Sequence, residues 1–216
     1  MRLPDRAYID LLAIVFAVMW ALLAIAPLYR HDWMLENLLV VAVAILFVWR
    51  RRMRDLSKLS STLIFMFRCV HEIGAHYTYA EVPYDEWARA LTGRTINEIF
   101  GFARNHFDRL EHVLDGALLA YPMREAYVRA QALSGRLTYT ITITLALSAM
   151  YEIFEWWAAE ITGGDLGVAY LGAQGDVWDA QKDMGLAGFG AALAMILTLI
   201  ISAGVNALSA HRTATT

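Results

Sequence analysis

Cysteine is almost missing: Cys69 is the one such residue in 216. That excludes an internal disulfide and any thiolate-rich metal site, and Cys69 itself reads as a small apolar packing residue. Charge is scarce as well, at 18% of residues against about a quarter in soluble domains. A net charge of -3 leaves no basic footprint for nucleic acid. Repeats of fixed period and low-complexity tracts are absent. So are His-Glu-x-x-His, Gly-x-Ser-x-Gly and the P-loop, so no short motif identifies a chemistry by itself.

What fills the space is apolar. The chain is 58% hydrophobic with a mean hydropathy of +0.43. A soluble fold of this size could not hide so much apolar surface, whereas lipid solvates it. The expected class is therefore all-α, a polytopic transmembrane helical bundle of about six spans forming one domain over residues 1–216. Roughly 20 residues cross ~30 Å of hydrocarbon. The runs that meet this need are about 8–29, 33–50, 59–76, 100–122, 137–158 and 184–208. The fourth is the least apolar, and it is inferred because the chain must cross back between two basic segments. Pro83 and the stretch from Tyr84 to Leu91 suggest a short interfacial helix, and Thr95-x-x-Glu98 has the form of a capping box.

Arginines set the sidedness. Arg50, Arg51, Arg52 and Arg54 form the densest basic cluster, and Arg124, Arg129 and Arg136 follow the fourth run. Short basic loops stay cytoplasmic, so both termini are expected inside. Histidines and carboxylates played no part in that assignment, yet they gather toward the outer half. His71, Glu72 and His76 form one group, and His106, Asp108, Glu111, His112 and Asp115 a second. Glu152 and Glu155 form a third, and Asp176, Asp179 and Asp183 a fourth. On a helix, Asp108, Glu111, His112 and Asp115 fall on one face at i, i+3, i+4 and i+7, with Asn105 close to it. Leucines usually write this pattern; here metal-ligand residues do.

A lone carboxylate at bilayer depth costs about 2.5–3.5 kcal/mol, so each should face the bundle and have a partner. Converging carboxylates need protons, cations or a divalent metal. Asp, Glu and His together suit zinc, manganese or iron. Plainer readings stand beside this one. The last Asp group also reads as a solvated loop, Glu152 and Glu155 as headgroup contacts, and His71 and His76 as packing residues. The second group, the hardest to dismiss, also reads as an ion-pair network with Arg68, Arg104 and Arg109.

The strings His71-Glu-Ile-Gly-Ala-His-Tyr-Thr-Tyr79, Arg104-Asn-His-Phe-Asp-Arg-Leu-Glu-His112, Tyr151-Glu-Ile-Phe-Glu-Trp156 and Gln174-Gly-Asp-Val-Trp-Asp-Ala-Gln-Lys-Asp-Met184 resemble the YjdF-like family of bacterial inner-membrane proteins. The resemblance covers about residues 10 to 208. It implies an inner-membrane location and a multi-span fold, and no particular activity. The leading functional expectation is a membrane-embedded, metal-dependent enzyme, a hydrolase of a lipid or envelope precursor. His71, Glu72, His76, Asp108, Glu111, His112, Glu152, Asp176, Asp179 and Asp183 are its candidate ligands. Glu155 or Asp115 is the candidate general base on a metal-bound water, and Arg68 or Arg104 the phosphate holder. The alternative is an ion- or proton-coupled transporter using the same carboxylates. The expected partners are the bilayer and a lipid-like or small-molecule substrate.

Overall fold

The computed structural model describes residues 6–49, 56–131, 137–164, 167–168 and 171–214. The arginine cluster at 50–54 and Arg136 lie outside the described residues. Eight helices have described bounds, Gly164, Gly167 and Val168 are helical besides, and no strand is present among the described residues. They are α1 (Arg6–Leu23), α2 (Arg30–Trp49), α3 (Lys58–Tyr77), α4 (Tyr84–Thr92), α5 (Ile96–Phe100), α6 (Phe107–Gln131), α7 (Leu137–Thr162) and α8 (Asp179–Ala214).

Local chemistry sets several of these boundaries. Ser57 caps α3 by accepting from Ser60 N–H, and Thr78 ends it in the left-handed conformation. Thr95 and Glu98 form the reciprocal capping box expected for α5. The helix α6 begins at Phe107 rather than near 100, because the backbone before it is spoken for. The Phe107 N–H donates to the Asn105 side chain and the His106 N–H to the Tyr84 hydroxyl. Asn105 thus precedes the helix and does not share its acidic face. Acids then open both α6 and α8, where Asp108 and Asp179 meet the positive end of the helix dipole.

The six long helices alternate in direction. Tyr8 bonds Thr62 at one end of the α1–α3 pair, and the Leu28 N–H donates to the His76 carbonyl at the other, so these two run parallel. The start of α2 meets the end of α3, where Thr78 donates to Asp32. The start of α6 also meets the end of α3, through His71 and Glu111, and its far end meets the start of α3, where Ser57 and Ser60 donate to Glu125. Tyr151 on α7 reaches Glu36 on α2, and Asp183 on α8 reaches Arg109 on α6. One end of the bundle therefore collects the starts of α2, α6 and α8 with the ends of α1, α3 and α7.

Lateral packing uses small residues. The most intimate pair is α6 with α8. A Cβ placed on Gly116 would overlap the Ala187 carbonyl, and one on Gly190 would overlap that of Val113. Ala120, Ala191 and Met195 fill the seam beyond. Close backbone approach over small residues is how helices associate where no hydrophobic drive exists between them. Large apolar side chains point outward instead: Leu11, Ile14, Val18 and Leu22 on α1, Leu147 and Phe154 on α7, and Leu197, Ile200 and Leu208 on α8 are all exposed. Among the described residues, the segment Asp179–Leu208 is by itself long and apolar enough to cross a bilayer, and Ala7–Leu23 is a shorter apolar helix.

Candidate metal centre

Three helices each bring a pair of ligand-type side chains one turn apart to the polar end: Asp108 and His112 on α6, Glu152 and Glu155 on α7, Asp179 and Asp183 on α8. His112 Nε2 lies 3.7 Å from Asp108 Oδ1 and 3.6 Å from Glu152 Oε1. Ligand atoms of Asp108, His112 and Asp183 all fall within 4.8 Å of one another. These separations are too long for hydrogen bonds. Ligand atoms ~2.1 Å from a tetrahedral ion stand roughly 3.4 Å apart, so the spacing suits a bound cation better than direct contact. Glu152 Oε1 is buried without a hydrogen-bond partner. Glu155 hydrogen-bonds Glu152.

A basic layer adjoins this set. Arg109 is buried and contacts three carboxylates: Nη1 donates to Asp183, Nη2 to Asp179, and Nη2 also to Asp176 Oδ2 at 3.1 Å. It further donates to the Asp179 carbonyl at 3.0 Å. Arg104 donates to Asp179 Oδ1 at 2.9 Å and to the Ala173 carbonyl at 2.6 Å. Lys182 reaches Asp176 Oδ2 at 2.5 Å. Asp176 lies outside the long helices, and the Lys182 hydrogen bond, with help from the Trp178 N–H and Arg109, holds its carboxyl below the usual 3.8. The last Asp group is thus an arginine-bound hinge between the 171–178 segment and α6, with Asp183 alone shared with the ligand-type set.

A second polar layer lies beside the first. His71 Nδ1 is 2.7 Å from the Tyr79 hydroxyl and 3.4 Å from Glu111 Oε1. Burial and the surrounding carboxylates push the Tyr79 phenol well above 10, so it keeps its proton. Tyr151 donates to Glu36 at 2.8 Å. Between the layers lies a chamber of about 130 Å³ lined by His71, Glu111, His112, Asp115, Ser148 and Tyr151. His71 Nε2 and Ser148 Oγ are buried there without hydrogen-bond partners. On the other side of α6 an open groove of about 910 Å³ runs from Trp87, Phe100 and Phe102 to Arg104, Arg109 and Lys182.

The structure distributes the sequence-selected residues unevenly. Asp108, His112, Glu152, Glu155 and Asp183 come together. His71, Glu111 and Asp115 line the adjoining chamber. Glu72 is fully buried, with Asn37, Arg68 and His71 as its polar neighbours. Asp176 and Asp179 are taken by arginines. The α3 helix continues through Gly74, as a role for His76 required, but the His76 ring meets the Leu23 carbonyl at 2.7 Å and so faces α1. The Arg68 guanidinium lies over Phe16, also on α1. Sequence reasoning passed over Asp32, Glu36 and Tyr151 as site residues. An isolated Glu in an apolar run was the available signal, since such a residue must have a partner.

The family described as "Predicted membrane protein (DUF2238)" matches residues 8–204. Inner membrane protein YjdF of Escherichia coli (strain K12) is 37% identical over 172 residues, covering 77% of this chain and 78% of that protein. No solved structure matches.

Proposed function

Given that the chain belongs to the DUF2238 family of predicted membrane proteins and sits in the bacterial inner membrane, we propose that it is a metal-dependent membrane enzyme. Its centre is Asp108, His112, Glu152 and Asp183. The six long helices are its six spans, with both termini on the cytoplasmic side, and the polar end of the bundle faces outward. The alternating helix directions support this arrangement.

One observation carries the metal reading. Asp108, His112 and Asp183 bring ligand atoms within 4.8 Å of one another, and Asp108 and Glu152 stand 3.7 and 3.6 Å from His112 Nε2, too far for hydrogen bonds and near the spacing around a shared cation. The donor set, one imidazole with three carboxylates, suits zinc, manganese or iron. A divalent ion there would supply Lewis acidity and lower the pKa of a bound water. Around it Glu155, hydrogen-bonded to Glu152, is the candidate to take a proton, and Arg109 holds Asp183 through a direct hydrogen bond. Hydrolysis of a lipid or lipid-linked envelope precursor fits a centre buried at the polar end of a lipid-facing bundle.

The test is elemental analysis of the purified full-length protein after growth with zinc, manganese or iron. About one ion per chain is expected, lost in Asp108→Ala and in His112→Ala and kept in Asp176→Ala. Stoichiometric metal surviving both of the first two substitutions, or no metal under any supply, would sink the assignment.

A second reading is favoured by one specific feature. Ser148, Thr144 and Thr140 form a buried row at four-residue spacing on α7, leading away from the chamber toward the opposite end. Such a row suits an ion or proton path. Ion flux in proteoliposomes that disappears in Thr144→Val, with metal content unchanged, would select this carrier function.

A further inference from the structure

The groove beside α6 combines an apolar wall with a cationic end. Most of its wall is aromatic or aliphatic: Trp87, Phe100, Phe102 and Leu110 are all substantially exposed there. Its other end is cationic. Arg104, Arg109 and Lys182 line it, and among the described residues that line it Asp176 is the one carboxylate. Asp179 and Asp183, which pair with these arginines, are buried and do not line it.

The cations converge on a single atom. Asp176 Oδ2 lies 2.5 Å from Lys182, 3.1 Å from Arg109 and 3.7 Å from Arg104. Three positive groups meeting at one carboxylate oxygen, the two arginines while also bound to Asp179 or Asp183, make a place for an anion with more oxygens than a carboxylate has. Guanidinium and ammonium groups arranged this way recognise phosphate. The volume, about 910 Å³, is at the upper end of the roughly 300–1,000 Å³ that holds a substantial organic ligand. A free phosphate ion would leave the apolar trough unused.

We infer that the groove binds an anionic phospholipid, with acyl chain against Trp87, Phe100, Phe102 and Leu110 and phosphate at Arg104 and Lys182. The Asp176 carboxylate occupies the phosphate position when lipid is absent. Arg109 joins this end of the groove to Asp183, so a headgroup held there stands beside the candidate centre. The identification of this lipid as substrate rests on the enzyme reading above, whereas its binding does not.

The experiment uses full-length protein in nonionic detergent and two photoreactive probes with the same diazirine-bearing acyl chain, phosphatidic acid and phosphatidylcholine. Cross-linked peptides are mapped by mass spectrometry. Phosphatidic acid is expected to label residues 87–113 several-fold more than phosphatidylcholine does. Leu110→Trp, which fills the trough at an exposed position, should lower that labelling several-fold, and Lys182→Gln should lower it for phosphatidic acid alone. Asp176→Asn should raise it, because a competing anion is removed. Equal labelling by both probes, label confined to the lipid-facing sides of α1 and α8, or indifference to Leu110→Trp would overturn the proposal. Chelator-treated protein should label equally well, so the groove can fail while the metal centre stands, and the reverse.

Discussion

Arg109 is the residue on which the polar end turns. It is a buried guanidinium facing three carboxylates from a neighbouring segment and helix. Removing one partner of a buried ion pair costs about 3–5 kcal/mol, because the other charge is left uncompensated. Arg109→Gln should therefore lower the detergent melting temperature sharply. Lys182→Ala, at a half-exposed ammonium, should change stability by about 1 kcal/mol or less. Asp176 adds a pH dependence of known sign. Its carboxyl is held below the ordinary 3.8 in the folded protein, so its contribution is present above that value and lost as pH falls through the lower one. The melting-temperature difference between wild type and Asp176→Asn should be present near neutrality and vanish in strong acid. At this scale the sequence displayed which residues were ligand-like, but not which of them arginine would claim. Asp176, Asp179 and Asp183 share one spacing pattern and all three meet Arg109; what separates Asp183 is its nearness to Asp108 and His112 across the α6–α8 seam. His76 shows the same limit: it lies on α3 near His71, yet its ring is turned to a carbonyl on α1.

Helix pairing depends on glycine at two contacts. At Gly116 and Gly190 a Cβ would overlap backbone of the facing helix, which cannot yield as a side-chain end can. Gly116→Ala and Gly190→Ala should each cost at least the ~1–3 kcal/mol of ordinary overpacking, read as a fall in melting temperature. Gly204→Ala, where a Cβ would meet open space, should be neutral or stabilising by up to about 1 kcal/mol. The helices themselves were largely legible. Long apolar runs located α1, α2, α7 and α8, and the Thr95–Glu98 pair located the start of α5. The start of α6 was not, because it is fixed by a distant hydroxyl. Tyr84 takes the His106 N–H from 22 residues away, and no local propensity encodes that. Nor did the run after residue 178 announce that Asp179 and Asp183 would already be helical.

For the molecule as a whole, the expected arrangement is checked by accessibility. Cys69 is the one native thiol, so a Cys69→Ser background accepts single new cysteines. A membrane-impermeant maleimide added to intact cells stripped of the outer membrane should react at Leu91→Cys and Val177→Cys, both at exposed positions near the polar end. It should not react at Arg52→Cys until the membrane is opened. The reverse result would place the polar end in the cytoplasm. The apolar composition foretold a lipid-facing bundle, and the outward side chains of α1, α7 and α8 agree with it. It did not foretell that so much of the interior would be polar: Glu72, Asp32 and Asp183 are among the largest fully enclosed side chains.

The α6–α8 seam also has an order of manufacture. Arg104 and Arg109 leave the ribosome about 70 residues before the acids that neutralise them. Until α8 is made, the two guanidiniums lack these acids, and the close contacts at Gly116 and Val113 are unfilled. A chain stopped before residue 179 would leave this face basic and unpacked. Helix α8 is therefore the element whose synthesis completes the seam.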